Sequence, residues 1–410
     1  MTEIVYCASH MKAELLPHPV VQELENLLIE HVYEDQWKQK WDGQTIPQDL
    51  LKSYIAHARK LSQLFTQKRQ HLHSKYFNKK ENRYAYIFYF HISSLMRSYH
   101  VIHEMVRHGI WPENAGTFMD LGSGSGGSLW ALGMYRHLHH LPIDKVYAVD
   151  QDQHVLKDAK KLWSRLIGHF NIKAPTLTTY KQDLLHIQKL ETDEFYHQVD
   201  VVFCSNVLNE FSKMSEASKL ALFKTVALHV LKKNGLLVIV EPALSETTRK
   251  LMELRDLFLE NIAAEIPIPC GHEMACPMLK NPKEWCHFEL QWEPPKLRKK
   301  IEESLGFQSG ILKYSYLVIK KKSVEPLPVS NRKKYRVLSP ALKNGDEYCV
   351  LLCSESEIMS LYFEKGNKEL RSIERGSLLE LGPVDHFGGK IKPHQRSVKL
   401  NPNSNPKIIS

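Results

Sequence analysis

The spacing of apolar and polar positions divides the chain into stretches of different period. Up to about residue 115, apolar residues recur at helical spacing, as over 20–32 (VVQELENLLIEHV) and again over 50–65. From 117 to 240 short apolar runs alternate with helical segments. Runs at 117–121, 145–150, 176–180, 199–204 and 236–240 read as strands, and two of them meet an acid at their ends, Asp150 and Glu241. Leu222, Phe223, Val226 and Val230 mark a helix that Asn234-Gly235 would close as a C-cap. This alternation predicts an α/β fold with a doubly wound, mostly parallel sheet. Ligands in such sheets bind beyond the carboxyl ends of the strands, where Asp120, Asp150, Asp183, Asn206 and Glu241 fall.

Past residue 240 the period changes again. Leu251, Leu254, Phe258 and Ile262 share a helix face, a cysteine-bearing segment spans 266–292, a helix covers 296–305 and a closing strand 311–319. A linker at 320–328 leads to β-type runs between 335 and 363, with a turn at Asn344-Gly345. From 388 the chain is rich in Lys, Pro and Asn and contains no acid, which predicts a disordered basic tail. The expected organisation is an N-terminal helical region (1–115), a sheet domain (116–322) that includes the Cys-rich metal segment 266–292, a small β-rich extension (329–387) and the tail (388–410).

Composition narrows the function classes. Hydrophobic residues make up 43% and charged residues 25%, an ordinary globular balance. The net charge of +9 suits a polyanionic partner as well as a plain basic surface. Lys68, Arg69, His71, His73, Lys75, Lys79, Lys80 and Arg83 precede the aromatics Tyr84, Tyr86, Phe88, Tyr89 and Phe90. That pairing fits phosphate contact and base stacking, and equally a solvated helix face beside core aromatics. No apolar run is long enough to span a membrane. The first residues carry Glu3 and neither an apolar signal core nor an Arg-rich presequence, so a reducing, cytoplasmic location is expected. The seven cysteines then read as thiols or metal ligands rather than disulfides.

The stretch 118–132 (FMDLGSGSGGSLWAL) places a strand, a glycine-rich turn and a helix in succession. Its order, DLGSGSGGS, departs from the dinucleotide fingerprint G-x-G-x-x-G and resembles the first motif of class I S-adenosylmethionine-dependent methyltransferases. The resemblance covers roughly residues 115–320. It implies that Asp120, Gly122, Gly124 and Gly126 hold the methionine end of the cofactor, that Asp150 accepts from the ribose hydroxyls, and that Asp183 stands near the adenine amine. Carboxylates suit hydroxyl and amine donors because they only accept. Asn206, at the fourth strand end, joins them on the cofactor side. The following residues, Ser205-Asn206-Val207-Leu208-Asn209-Glu210, contain neither the Pro-Pro-aromatic turn of amine methylation nor a Pro beside Cys204 for cytosine carbon methylation.

Cys270, Cys276 and Cys286 follow at C-x5-C-x9-C spacing, with His272 and His287 beside them. Gathered thiolates need a metal to neutralise them. Zinc is the default, although no C-x2-C knuckle occurs. A fourth ligand must come from elsewhere; Cys349 and Cys353 lie on one strand face about 13 Å apart, too far to serve one compact site together.

These residues carry a closer resemblance. Residues 241–246, Arg255, Pro269-Cys270-Gly271-His272, Cys276-Pro277, Trp285-Cys286-His287-Phe288, Tyr314-Ser315-Tyr316 and the segment from Arg336-Val337 to Cys353 are similar to the small-ribosomal-subunit assembly family of methyltransferase-like proteins, which includes mitochondrial methyltransferase-like protein seventeen, its yeast counterpart and bacterial relatives. The likeness extends over roughly 84–382. It implies a [4Fe–4S] cluster on Cys270, Cys276, Cys286 and Cys353, and binding to small-subunit rRNA or the assembling small ribosomal subunit. Two departures stand out: Gly271 where the family commonly has Pro, and Glu241-Pro242-Ala243-Leu244 where it often has Gly-Thr-Pro. The expected function is a small-subunit assembly factor that binds S-adenosylmethionine, the cluster and rRNA. The alternatives are an active rRNA methyltransferase, or a zinc-binding methyltransferase acting on a non-RNA substrate.

Overall fold

A computed structural model describes residues 15–43, 48–66, 76–112, 114–185, 195–208, 214–262, 264–307, 310–321, 333–387, 395–400 and 404–409. Lys68, Arg69, His71, His73 and Lys75, the residues Asn209 and Glu210, and most of the 320–328 linker lie outside the described residues.

The N-terminal helices are α1 (His18–Trp37), α2 (Gln48–Thr66), α3 (Lys80–Tyr86) and α4 (Ile92–Arg107), the last two joined by a π-helical stretch, Ile87–His91. Helical spacing explains α1: Val21, Leu24, Leu28 and Val32 fall on one face and are buried.

The main sheet contains β1 (Thr117–Leu121), β2 (Lys145–Asp150), β3 (Thr178–Lys181), β4 (Val199–Ser205), β5 (Leu231–Pro242), β6 (Ala264–Ile268), β7 (Phe288–Gln291) and β8 (Ile311–Lys321). Its order is β3-β2-β1-β4-β5-β8-β6, with β7 also on β8. The first five strands pair in parallel, and β8 runs antiparallel to β5, β6 and β7. Helices α5 (Gly127–Leu138), α6 (Gln153–His169), α7 (Glu216–Thr225), α8 (Ser245–Asn261) and α9 (Lys296–Leu305) connect the strands. The order reverses between β1 and β4, and the glycine turn follows β1 at that switch point.

Strand alternation assigns the two faces of the sheet to two cores. Phe118, Leu236, Val238 and Val240 pack with the N-terminal helices, while Met119, Leu237 and Ile239 pack with Phe223 of α7 and Phe258 of α8. The expected helical region 1–115 is therefore one wall of the sheet's core and has no core of its own among the described residues.

One local reading is corrected. Asn234-Gly235 does not cap a helix; it lies inside β5, where the register with β4 shifts between Val199 and Val201. The preceding helix ends earlier, through a π-helical turn at Val226–Val230, and Leu231 is already extended.

A second sheet contains β9 (Lys333–Val337), β10 (Leu342–Asn344), β11 (Glu347–Cys353), β12 (Ile358–Glu364), β13 (Leu378–Leu381), β14 (Asp385–Phe387), β15 (Gln395–Lys399) and β16 (Lys407–Ile408), with the short α10 (Lys368–Arg371) between β12 and β13. Its order is β14-β15-β12-β11-β9-β13-β16, with β10 also on β11. Within the disordered tail expected over 388–410, the described residues 395–400 and 404–409 are ordered instead. β15 pairs in parallel with β12, β16 pairs with β13, and Val398 and Ser404 are fully buried. Charge and proline content describe the side chains; they miss the backbone pairing that two open strand edges offer.

Candidate cofactor cradle and cysteine cavity

The loop after β1 is held by backbone bonds and one carboxylate. Gly122 N and Ser123 N donate to Val149 O at 2.8 and 3.1 Å. Asp150 Oδ2 accepts from Gly124 N at 3.0 Å, and Oδ1 from Asp152 N at 2.9 Å. The loop needs glycine for two separate reasons at Gly122. Its φ is +67°, and a Cβ there would lie 2.5 Å from a Val207 methyl. Gly124 faces the Tyr86 hydroxyl, 3.0 Å from where its Cβ would stand, and Gly126 precedes the first residue of α5.

Asp120 is buried in β1, and its Oδ1 has no hydrogen-bond partner among the described residues. Burial first, and the Asp150 charge second, push its carboxyl well above the usual range. Burial likewise raises Asp150 to about 6, against the backbone bonds from Asp152 and Gly124 that pull it down. Asp183 follows β3 and is half-buried; its Oδ1 accepts from Leu185 N at 2.9 Å. Its neighbour Gln182 donates its backbone N–H to Asp150 O at 2.9 Å, which ties this strand end to the cradle. Asn206 adopts a left-handed φ of 61° at the end of β4. Its Nδ2 donates to Ser94 Oγ at 3.0 Å, and its buried Oδ1 is unpartnered.

A polar seam from α4 to this loop was not anticipated. His91 Nδ1 meets Ser125 Oγ at 2.9 Å, Ser98 Oγ donates to Ser128 Oγ at 3.2 Å, and Ser128 Oγ donates to Ser205 Oγ at 2.9 Å. The only sequence trace is the run His91-Ile92-Ser93-Ser94, small polar residues within an otherwise apolar helix. Of the expected stacking aromatics, Tyr84, Phe88 and Tyr89 are core; Tyr86 and Phe90 are half-buried and stack on one another at 5.2 Å.

The second site lies between the two sheets. Cys270, Cys276 and Cys286, on the segment between β6 and β7, and Cys353, at the end of β11, line one cavity of about 40 Å³. Arg255 of α8 binds the segment with each of its donors. Nε reaches Cys270 Sγ at 3.1 Å, Nη1 reaches Met274 O at 2.9 Å and Asp256, and Nη2 reaches His272 O at 2.6 Å. Asp256 in turn accepts from Cys276 N at 2.9 Å. Burial pulls the Arg255 guanidinium down, but Cys270, Cys276 and Asp256 outweigh it and raise the pKa overall. Burial and the neighbouring thiols push Cys276 up to about 12 and Cys286 up to about 11, and Cys353 rises well above its usual value for the same reasons. Left alone, these groups are protonated thiols; to act as thiolates they need positive charge at the cavity centre.

His272 also lines the cavity, with Nε2 at 3.6 Å from Cys353 Sγ, whereas His287 turns away to Glu289. Cys349 is not among the lining residues. Gly271 is explained by the second sheet: a Cβ there would stand 2.6 Å from Lys334 O of β9. Among the described residues, no group of three or more His, Cys, Asp and Glu side chains is arranged to hold a metal ion. Nor is any helix of the described residues long and apolar enough to cross a membrane.

Several solved structures are similar to parts of this chain. A ribosomal protein L11 methylase from Lactobacillus delbrueckii subsp. bulgaricus is 15% identical over 53% of this chain and 76% of its own, with a TM-score of 0.30. An rRNA methylase from Streptococcus thermophilus is 10% identical over 54% of this chain and 96% of its own, with a TM-score of 0.29. A protein from Listeria monocytogenes assigned to the class I S-adenosylmethionine-dependent methyltransferases is 15% identical over 77% of this chain and 91% of its own, with a TM-score of 0.38. At these scores the neighbours say nothing about chemistry. No curated protein matches the chain significantly. The model of the Rsm22 family, described as mitochondrial small ribosomal subunit Rsm22, matches residues 61–367, well over half of the sequence. The chain therefore belongs to the Rsm22 family.

Proposed function

We propose that this protein is an assembly factor of the small ribosomal subunit. On this reading it binds S-adenosylmethionine at the glycine loop, holds a [4Fe–4S] cluster on Cys270, Cys276, Cys286 and Cys353, and contacts small-subunit rRNA or its precursor. The observation that carries it is the meeting of four thiols, from two separate segments, around one cavity in a member of a small-subunit family.

Four thiols lining one cavity are a donor set that an iron–sulfur cluster or zinc accepts, and the family resemblance carried by these cysteines favours the cluster. Arg255 supports the thiolate form by donating to Cys270. At the glycine loop, Asp120 Oδ1 and Asn206 Oδ1 are buried acceptors without partners, which supports a ligand that donates. S-adenosylmethionine supplies an electrophilic methyl group when bound. Methyl transfer is left out of the reading, because Ser205-Asn206-Val207-Leu208 supplies no acceptor-side base or nucleophile.

The test is anaerobic purification of the full chain with its bound RNA. Iron and acid-labile sulfide in equal amounts, together with enrichment of small-subunit rRNA over a charge-matched control, are expected. Colourless protein carrying zinc refutes the cluster and favours the non-RNA alternative. A modification that disappears from rRNA when the gene is removed converts the reading into an active rRNA methyltransferase. The compartment is that of the subunit it serves; the family's description is mitochondrial, and cell fractionation decides between that and the cytoplasm.

A further inference from the structure

Arg336, on β9 of the second sheet, lines the cysteine cavity together with Arg255 of α8. Its residue is 2% exposed. The guanidinium lies over the Phe288 ring at 4.0 Å from the centroid, and Nη2 is 3.5 Å from the Tyr316 hydroxyl, too long for a good hydrogen bond. Nε and Nη1 have no hydrogen-bond partner among the described residues. The two arginines thus differ. Arg255 has spent its donors on Cys270, Met274, His272 and Asp256. Arg336 keeps its donors open in a buried space, where an unpaired charge and unmade hydrogen bonds are costly. Glu104 of α4, whose carboxyl the Arg336 charge helps to pull down, is already bonded to Arg107. His272 lines the same cavity, and its buried Nδ1 makes no hydrogen bond of good geometry among the described residues.

We infer that Arg336 is a positioning residue for an anionic occupant of this cavity: its open Nε–H and Nη1–H groups donate to the sulfur of a four-thiolate iron–sulfur cluster and set that cluster's reduction potential. This rests on the cluster reading above. A cluster held by four thiolates carries net negative charge, and one-electron reduction adds another. A buried cation that also donates hydrogen bonds stabilises the reduced form more than the oxidised one, so it raises the potential. Because Arg336 comes from the second sheet, as Cys353 does, the potential would report whether that sheet is docked.

The test uses the full chain, loaded anaerobically, in wild type, Arg336→Gln, Arg336→Lys and the exposed control Lys343→Gln. Redox titration with dithionite, followed by the spectrum of the reduced cluster, gives the potential; iron release to a chelator gives the rate of loss. Arg336→Gln is expected to shift the potential to more negative values and to release iron several-fold faster. Arg336→Lys, which keeps the charge but loses the planar fork, should fall between it and wild type, and Lys343→Gln should match wild type. A fully loaded Arg336→Gln variant with the wild-type potential overturns the inference. If Arg336→Gln does not fold, Arg336→Lys decides, and an unchanged potential there overturns it too. A wild-type chain that takes up no cluster is a different failure: it removes the cluster reading, and this inference with it.

Discussion

Replacing Asp150 by Asn tests whether a buried carboxylate staples the glycine loop. The carboxyl accepts from Gly124 N and Asp152 N, yet burial raises its pKa from 3.8 to about 6. A raised value means that the folded state binds this proton more tightly than the unfolded chain does. The resulting stability is fully present below the unfolded value and is lost as pH rises through about 6. Each pH unit of that displacement corresponds to about 1.36 kcal/mol, so about 3 kcal/mol is lost by neutral pH. Asn cannot ionise. The stability of wild type relative to Asp150→Asn should therefore fall by about 3 kcal/mol between about pH 4 and about pH 7. The Asp120 carboxyl, pushed up partly by Asp150, adds to this in the same direction. The amide also leaves one backbone N–H without an acceptor, costing about 1–3 kcal/mol. That cost is the same at every pH, so the slope and not the offset carries the test. Urea unfolding followed by tryptophan fluorescence across the pH series measures it, provided the m-value stays constant. A difference that is flat within about 0.5 kcal/mol would refute the reasoning.

The remaining perturbations probe the second sheet and its join to the first. Gly271→Ala places a Cβ 2.6 Å from Lys334 O, and a backbone carbonyl has little room to give. A loss of about 1–3 kcal/mol is expected in denaturant unfolding, and an unchanged midpoint argues that the contact is absent. Val398→Ala removes two methyl groups from a fully buried site in β15, and about 2 kcal/mol should be lost. No change in stability would return this segment to the solvated tail that its composition suggested. Cys353→Ser should cost most of the iron in anaerobically purified protein while Cys349→Ser retains it; the reverse result moves the fourth ligand to Cys349.

The centre of the sheet was legible because β1, β2 and β4 are buried on both faces, so each reads as a continuous apolar run. β1, β2 and β4 were placed within a residue of their observed bounds. The start of β5 was missed because Lys232, Lys233 and Asn234 are polar, and the strand is extended there by a register shift rather than by burial of its side chains. At the sites, residue types were legible and partners were not. Crowding marks Cys270, Cys276 and Cys286, whereas Cys353 was named only through the family resemblance and lines the same cavity by the docking of a second sheet. Arg336 stood in the segment that carried that resemblance, but its open donors exist only once β9 is set against Phe288. Local spacing carries no information about a contact made by tertiary packing, and the same holds for Val398 in the tail.

The cradle and the cavity share one scaffold element, α4. Ser94 and Ser98 meet Asn206 and Ser128 at the cradle. Toward the other end of the helix, His100 Nδ1 meets the Tyr314 hydroxyl at 2.5 Å. Tyr314 stacks at 5.7 Å on Phe288 and at 6.1 Å on Tyr316, and both of those rings line the cysteine cavity. Ser94, Ser98, Ser128, Phe288, Tyr314 and Tyr316 in this seam are buried, with Asn206 and His100 half-buried, and such packing favours a single arrangement of the helix. Two-site switching needs a second arrangement, so the geometry argues for shared stability and against a relay. Amides of α4, β1 and β8 should then open to hydrogen exchange in one cooperative unit with a common free energy. If α4 exchanged through a separate opening several kcal/mol cheaper than that of β1, the helix would be a movable cover and the shared-scaffold argument would fall.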